Sequence, residues 1–217
     1  MNAEQSQKRI GELGIIPVVR AANSDEALQA VRAIHAGGIS IVEITLTVPN
    51  ASALISELAR EYGDTLLVGA GTVLTHEQAT ECLDAGAEFL VSPGLSVPVL
   101  RAAQGRDKLA IPGALTPTEI MAASREGAQL LKIFPCESMG GPKYIKSLRG
   151  PFPAIKFIPT GGVSVANAAD YFAAGSFALG IGSELVDLQA LRRGELHNIS
   201  DSCHKLLQVV SNAQDSH

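Results

Sequence analysis

The sequence predicts an α/β fold, specifically a (β/α)8 (TIM) barrel with an N-terminal helix. Three observations predict it. Short β-rich apolar runs alternate with longer amphipathic stretches along all 217 residues. Eight such runs begin between positions 15 and 177, about 23 residues apart, which is room for a strand, a two- to three-turn helix and two loops. The runs are apolar almost throughout, as in a parallel sheet covered on both faces. Eight units in this length fit a compact barrel near the lower end of its size range, with an open doubly wound sheet as the runner-up.

Residues 1–13 read as a helix. The runs follow as IIPVV (15–19), ISIVEI (39–44), TLLVGA (65–70), EFLVS (88–92), KLAIP (108–112), LLKIF (130–134), IKFIP (155–159) and FALGIG (177–182). Helices between them start at Ser24, with Asp25 and Glu26 in the first turn, near Asn50, at Thr75, and near Thr116 with Pro117 at the first helical position. They stop at Gly37, Gly63, Gly86 and Gly127. Ser, Thr or Asn before a helix satisfies its first free N–H groups, and Gly after it accepts the turn that ends it. A shorter helix fits 97–104, and another follows Ser164 and ends at Gly175. The tail, 187–217, reads as a C-terminal helical segment. Neither a linker nor a low-complexity stretch divides the chain, so 1–217 reads as a single barrel domain.

Composition excludes several classes. Seventeen Lys and Arg against 22 Asp and Glu give a net charge of −5 with no basic block, which argues against nucleic-acid binding. Aromatic residues make up 4% and Trp is absent, which argues against a stacking platform for bases. No apolar run approaches the ~18 residues of a membrane span, and the polar start lacks a signal-peptide core. Cys82, Cys136 and Cys203 are odd in number and widely spaced, so a reducing cytoplasm is the expected location. His35, His76, His197, His204 and His217 have no metal-ligand spacing, and Cys136 has no His partner in sequence. No metal and no cofactor is expected; the expected partner is a small-molecule substrate, not nucleic acid or membrane.

Two charged residues stand beyond the second position of their strand runs. Glu43 in ISIVEI shares strand parity with Ile41 and Thr45, and Lys132 in LLKIF shares it with Leu130 and Phe134. If those parities face inward, a carboxylate and an amine enter one enclosed space from opposite strands, the second and the sixth. Both lie toward the C-terminal ends of their strands, the functional face of such a barrel. A buried structural ion pair is the bland alternative. The chemical reading is stronger, because burial disfavours the charged form of an amine and a neutral amine attacks a carbonyl to form a Schiff base. A neighbouring carboxylate then moves protons.

Glycines follow the last two runs: Gly161 and Gly162 after the seventh, and Gly182, next to Ser183, closing the eighth. Loops at these two places commonly bind phosphate through backbone N–H groups, and Ser183 adds a hydroxyl. A dinucleotide site is disfavoured, since GAGTVL at 69–74 lacks the third Gly. Other polar strand ends complete a ring: Arg20 after the first run, Thr45 and Thr47 after the second, Thr72 after the third, Ser92 and Pro93 after the fourth. Arg20 is suited to a carboxylate or phosphate, or is a surface arginine; Thr72 binds ligand or caps the next turn.

At these residues the sequence resembles the 2-keto-3-deoxy-6-phosphogluconate (KDPG) aldolase / 4-hydroxy-2-oxoglutarate (KHG) aldolase family, class I. The resemblance is carried by PVVRAANSDEA, GGISIVEITLTVPNA, VGAGTVLT, AEFLVSPGL, IPGALTPTE, LLKIFPCE, GPKYIKSLRGPFP, KFIPTGGVS and GIGSELV, in the same order over roughly residues 10 to 187. It implies a trimeric (β/α)8 barrel that works through a Schiff-base lysine and a glutamate acid/base without a metal. By motif, Lys132 would form the imine and Glu43 would shuttle protons. Thr72 would bind the pyruvate-derived carboxylate region, Pro93 and Phe134 would line the pocket, and Gly161, Gly162 and Ser183 would hold the phosphate. Many members carry Arg four residues after the glutamate; here the residue is Thr47, as in other members, and Arg20 is expected to supply the missing charge.

The reaction implied is reversible cleavage of 2-dehydro-3-deoxy-6-phosphogluconate to pyruvate and glyceraldehyde 3-phosphate, with 4-hydroxy-2-oxoglutarate as a further substrate. The alternatives are the corresponding phosphogalactonate aldolase and another phosphate-binding barrel enzyme, an isomerase or epimerase. The latter leaves Lys132 unexplained. A noncatalytic scaffold with this fold leaves Lys132, Glu43 and both glycine loops unexplained.

Overall fold

The structure is a computed structural model that describes residues 1–214. His217 and the last three positions of the predicted C-terminal segment lie outside the described residues. In chain order the elements are α1 (Ala3–Leu13), β1 (Ile15–Val19), α2 (Ser24–Ala36), β2 (Ile41–Thr45), α3 (Ala51–Tyr62), β3 (Leu67–Gly71), α4 (His76–Asp84), β4 (Phe89–Val91) and α5 (Val97–Gln104). They continue with β5 (Leu109–Ile111), β6 (Gly113–Ala114), α6 (Pro117–Arg125), β7 (Leu130–Ile133), α7 (Pro142–Arg149), β8 (Lys156–Pro159), α8 (Ala168–Ala173), β9 (Leu179–Ile181), α9 (Leu188–Arg192) and α10 (His197–Gln214).

The strands form a (β/α)8 barrel. Six of them run in parallel in the order β5-β4-β3-β2-β1-β9, and three more in the order β6-β7-β8. The two arcs meet at two places. One is the bridge between Thr160 and Gly180, which joins the end of β8 to β9. The other is Pro112, between β5 and β6. The sequence predicts one strand over 108–112; the structure has two short ones because Pro112 has no N–H with which to continue a ladder. The chain changes neighbours there: the Ile111 carbonyl accepts from the Ser92 N–H on the β4 side, and the Pro112 carbonyl accepts from the Lys132 N–H on the β7 side.

The caps are largely those the sequence predicts. Thr75 and Thr116 each accept from the backbone three residues on, and Gln78 and Glu119 reach back to complete capping boxes. Asn2 and Gln5 do the same for α1, which ends at Gly14 in a left-handed conformation. α2 begins at Ser24, but its cap is the Asn23 side chain. Two further differences concern helices. The helix after Ser164 is shorter than its spacing suggests, covering only 168–173. α7 has no counterpart in the sequence-based expectation. Its signals are Pro142 in the first turn and the buried pair Ile145 and Leu148 at i, i+3, on a segment otherwise rich in Lys and Arg.

Strand alternation divides the core in two. Ile16, Ile41, Leu67, Phe89, Leu109, Leu130 and Ile158 point inward and form the barrel interior. Their neighbours Ile15, Val42, Val68, Leu90, Leu131 and Phe157 point outward and pack under the helices. Ile10 of α1 joins the inner set with no exposed surface, so the N-terminal helix closes the barrel at the end opposite the C-terminal mouth. Truncating a fully buried aliphatic side chain costs roughly 2–5 kcal/mol. Ile10→Ala is therefore expected to lower the unfolding free energy by an amount in that range, read as a lower urea midpoint with little change in slope, while Lys8→Ala on the exposed face of α1 changes stability by less than about 0.5 kcal/mol.

Candidate active site

The inward parity of β2 and β7 continues past Ile41 and Leu130 to Glu43 and Lys132. Both are nearly inaccessible, at 2% and 4% exposure, and Lys132 Nζ lies 3.8 Å from Glu43 Oε1. This is an ion-pair distance, longer than a hydrogen bond. Glu43 Oε1 has no hydrogen-bond partner among the described residues. Buried polar atoms are normally hydrogen-bonded, so a carboxylate oxygen that accepts no hydrogen bond beside an amine marks a place kept for another group. Phe134, two residues beyond Lys132, sets its ring 5.4 Å from the same Nζ.

Room for Glu43 comes from the neighbouring strand. The inward positions of β3 are Leu67, Gly69 and Gly71, and Thr45 registers against Gly71. A Cβ on Gly71 would lie 1.9 Å from Glu43 Oε1, so only glycine leaves space for the carboxylate. Gly69 plays the same part beneath the Phe89 ring. Sequence reading singled out neither glycine for this purpose. The signal is present as glycines at alternate positions of an apolar run beside an acidic strand.

Lys132 and Phe134 open onto a cavity of about 390 Å3 at the C-terminal end of the strands. Arg20, Gly161, Gly162, Gly182 and Ser183 line it too, with Val18 and Thr160 toward its floor. These residues come from β1, β7, β8 and β9 and form one side of the mouth. Gly161 and Gly162 adopt φ of 88° and 77°, left-handed values that favour glycine and that turn the chain sharply after β8. Gly182 has open space where a side chain would stand.

Thr47, Thr72 and Pro93 do not line this cavity; they stand at the ends of β2, β3 and β4, on the other side of Lys132. Thr72 has φ 59°, which is strained for a β-branched residue. Its bland reading, a cap, does not apply, because Thr75 caps α4. Thr45, fully buried, donates to the Val19 carbonyl at 3.1 Å and lies 2.7 Å from the Thr47 hydroxyl. With the Thr45 proton committed to Val19, Thr47 is the donor in that pair. The Pro93 carbonyl packs against Gly113, where a Cβ would approach to 2.2 Å.

Cys136 follows β7 but is fully buried, and burial pushes its thiol up to about 11. Burial likewise pushes Cys82 and Cys203 to about 12. All three are free thiols. Among the described residues no cluster of three or more His, Cys, Asp or Glu is placed to hold a metal ion, and no helix is long and apolar enough to cross a membrane.

This arrangement can form and turn over a covalent imine. An enclosed amine meets a carboxylate at its base, glycine turns on one side and hydroxyl groups on the other. Comparison with known proteins agrees in kind. The chain matches the family model described as KDPG and KHG aldolase over residues 7–202. It is 39% identical over 186 residues to the KHG/KDPG aldolase of Escherichia coli (strain K12), covering 86% of this chain and 87% of that protein. It is 39% identical over 175 residues to the 2-dehydro-3-deoxy-6-phosphogalactonate aldolase of the same organism, covering 80% and 85%. The crystal structure of KDPG aldolase from Legionella pneumophila, with pyruvate captured at low pH as a covalent carbinolamine intermediate, matches with a TM-score of 0.85 at 32% identity, over 93% of this chain and 98% of that one.

Two outcomes follow from the geometry. Gly71→Ala forces the Glu43 carboxylate from its place, and turnover is expected to fall at least tenfold, measured by pyruvate release, with the circular dichroism spectrum retained. The thiols remain protonated in the folded protein through pH 9, because their folded values lie above the ordinary thiol range; native protein is expected to resist iodoacetamide at pH 8–9 and to react at three sites once unfolded.

Proposed function

The chain belongs to the KDPG and KHG aldolase family and is a carbon–carbon lyase, and on that premise we propose that it cleaves 2-dehydro-3-deoxy-6-phosphogluconate reversibly through a Schiff base on Lys132. The observation that carries this reading is the buried amine of Lys132 beside a Glu43 oxygen that accepts no hydrogen bond among the described residues, at the floor of a mouth bounded by the glycine turns.

The amine of Lys132 attacks the C2 ketone, and loss of water leaves an iminium. The iminium accepts the electron pair of the C3–C4 bond as Glu43, directly or through a water, takes the proton of the C4 hydroxyl. Glyceraldehyde 3-phosphate departs and leaves an enamine. Glu43 returns the proton to C3, and hydrolysis frees pyruvate and restores the amine. Each proton transfer of this kind is worth roughly 10²–10⁴-fold in rate. No metal is required, since the iminium serves as the electron sink. The covalent pyruvate adduct named for the Legionella pneumophila enzyme supports this chemistry.

The substrate phosphate occupies the turns of Gly161, Gly162, Gly182 and Ser183. Arg20 lines the same wall, and in this reading its guanidinium serves the phosphate in preference to the carboxylate expected for it in place of the arginine at position 47. The carboxylate then falls to the other side of the mouth, to Thr72 and to Thr47, which must turn its proton outward from Thr45. Pro93 and Phe134 border the reacting carbons. By family resemblance, residues 1–217 act as one barrel unit within a cytoplasmic homotrimer. The similarity to a phosphogalactonate aldolase favours a second reading, the C4 epimer as substrate. 4-Hydroxy-2-oxoglutarate, which would yield pyruvate and glyoxylate, is the unphosphorylated third.

Borohydride added with pyruvate is expected to attach a reduced adduct to Lys132, located by peptide mass spectrometry; labelling elsewhere, or none, removes the Schiff base from the reading. Lys132→Ala is expected to abolish turnover. Glu43→Gln should slow it by about 10²–10⁴-fold while the pyruvate adduct still forms; near-normal rates in that variant would falsify the proton-shuttle role. Comparing kcat/KM for the two phosphorylated epimers and 4-hydroxy-2-oxoglutarate identifies the preferred substrate.

A further inference from the structure

Behind the glycine turn lies a brace that neither the fold nor the imine chemistry explains. Tyr171 on α8 is fully buried, and its hydroxyl donates to Glu137 Oε2 at 3.1 Å. The Glu137 stem runs along the backbone of Gly162, where a Cβ would be only 2.3 Å from Glu137 Cβ. The main chain joins the same two segments: the Glu137 N–H donates to the Gly161 carbonyl at 3.2 Å and the Cys136 N–H to the Thr160 carbonyl at 2.9 Å. The turn that follows Lys132 is thus strapped to the turn proposed to hold phosphate. The Glu137 side chain is the part of that strap whose position a distant residue controls.

We propose that Tyr171 and Glu137 are positioning residues that hold the Gly161–Gly162 turn in its anion-binding shape, and so set the preference for phosphorylated over unphosphorylated substrate. The inference rests on the phosphate reading given above. Neither residue lines the cavity, so both act through the glycine turn. Burial, with Cys136 and the Glu137 carboxylate nearby, raises the Tyr171 phenol well above its ordinary value, so the hydroxyl remains a donor throughout the working pH range. The left-handed glycines have no side chains of their own to fix the turn, and glycine is the residue with the most backbone freedom to lose. An external brace compensates for that freedom.

The test uses a matched pair, 2-dehydro-3-deoxy-6-phosphogluconate and its dephosphorylated form, and reads the ratio of their kcat/KM values in the full chain. Tyr171→Phe deletes one hydroxyl and is expected to lower the ratio about five- to tenfold, chiefly through a higher KM for the phosphorylated substrate, in line with the loss of one hydrogen bond to a charged group. Glu137→Ala is expected to lower it at least as far, and the double variant no further than Glu137→Ala alone, because the hydroxyl's hydrogen bond to the strap is made to that carboxylate. If the wild type prefers the phosphorylated form and the variants lose activity on both substrates equally, or the two effects add, the brace has no such role. If the wild type does not discriminate within the pair, the phosphate reading itself fails and the inference falls with it. Should Tyr171→Phe fold poorly, Glu137→Ala, at an exposed position, carries the same comparison.

Discussion

The structure is organised around the enclosure of one carboxylate and one amine in a common space. Left apart in an apolar interior, Glu43 and Lys132 would each be costly to bury. Facing each other at 3.8 Å, they are tolerated, yet they remain too far apart to satisfy each other completely. The remaining polar potential is directed at the open end of the barrel. Everything nearby accommodates this arrangement: glycine at 71 where any side chain would collide, an aromatic ring over the amine, and a floor of aliphatic side chains sealed by the N-terminal helix.

Much of this was legible in the sequence, because the physics involved is local and periodic. Apolar runs at regular intervals locate the strands, and Ser, Thr and Gly locate most helix ends. Two-residue periodicity is enough to assign Glu43 and Lys132 to the same interior as Ile41 and Leu130, which the structure bears out. What was not legible depends on neighbours distant in the chain. Nothing in GAGT alone says that a carboxylate from another strand needs the space above Gly71. Nor does a lone tyrosine in ANAADYFAA disclose that its hydroxyl reaches a glutamate 34 residues earlier. Pro112 lies between: its effect on a ladder is predictable, but the exchange of partners there follows only from barrel closure.

The mouth is chemically divided. The β1, β7, β8 and β9 ends carry glycine turns and the guanidinium of Arg20; the β2, β3 and β4 ends carry hydroxyls and a proline. On the proposed function, a substrate with anions at both ends spans this mouth with its phosphate on the glycine side and its middle carbons over the amine. On that reading, orientation comes from the asymmetry of the rim, and reactivity from the buried pair beneath it. Thr47, lacking the charge that many relatives carry at that position, makes the rim more asymmetric, with its fixed positive charge on one side.

The two arcs of the barrel acquire a particular meaning from where the reacting groups sit. Glu43 belongs to the six-stranded arc and Lys132 to the three-stranded one, and the arcs meet at the Pro112 step and along the β8–β9 seam, at the Thr160–Gly180 bridge and the Phe177 N–H to Phe157 carbonyl bond. The gap between oxygen and nitrogen is thus a property of the joint between two plates, not of either plate. On the proposed mechanism, the reach of the proton transfer is therefore set where the two ladders meet, at the Pro112 step and the β8–β9 seam. In mechanical terms, the seams are the adjustment screws of the chemistry.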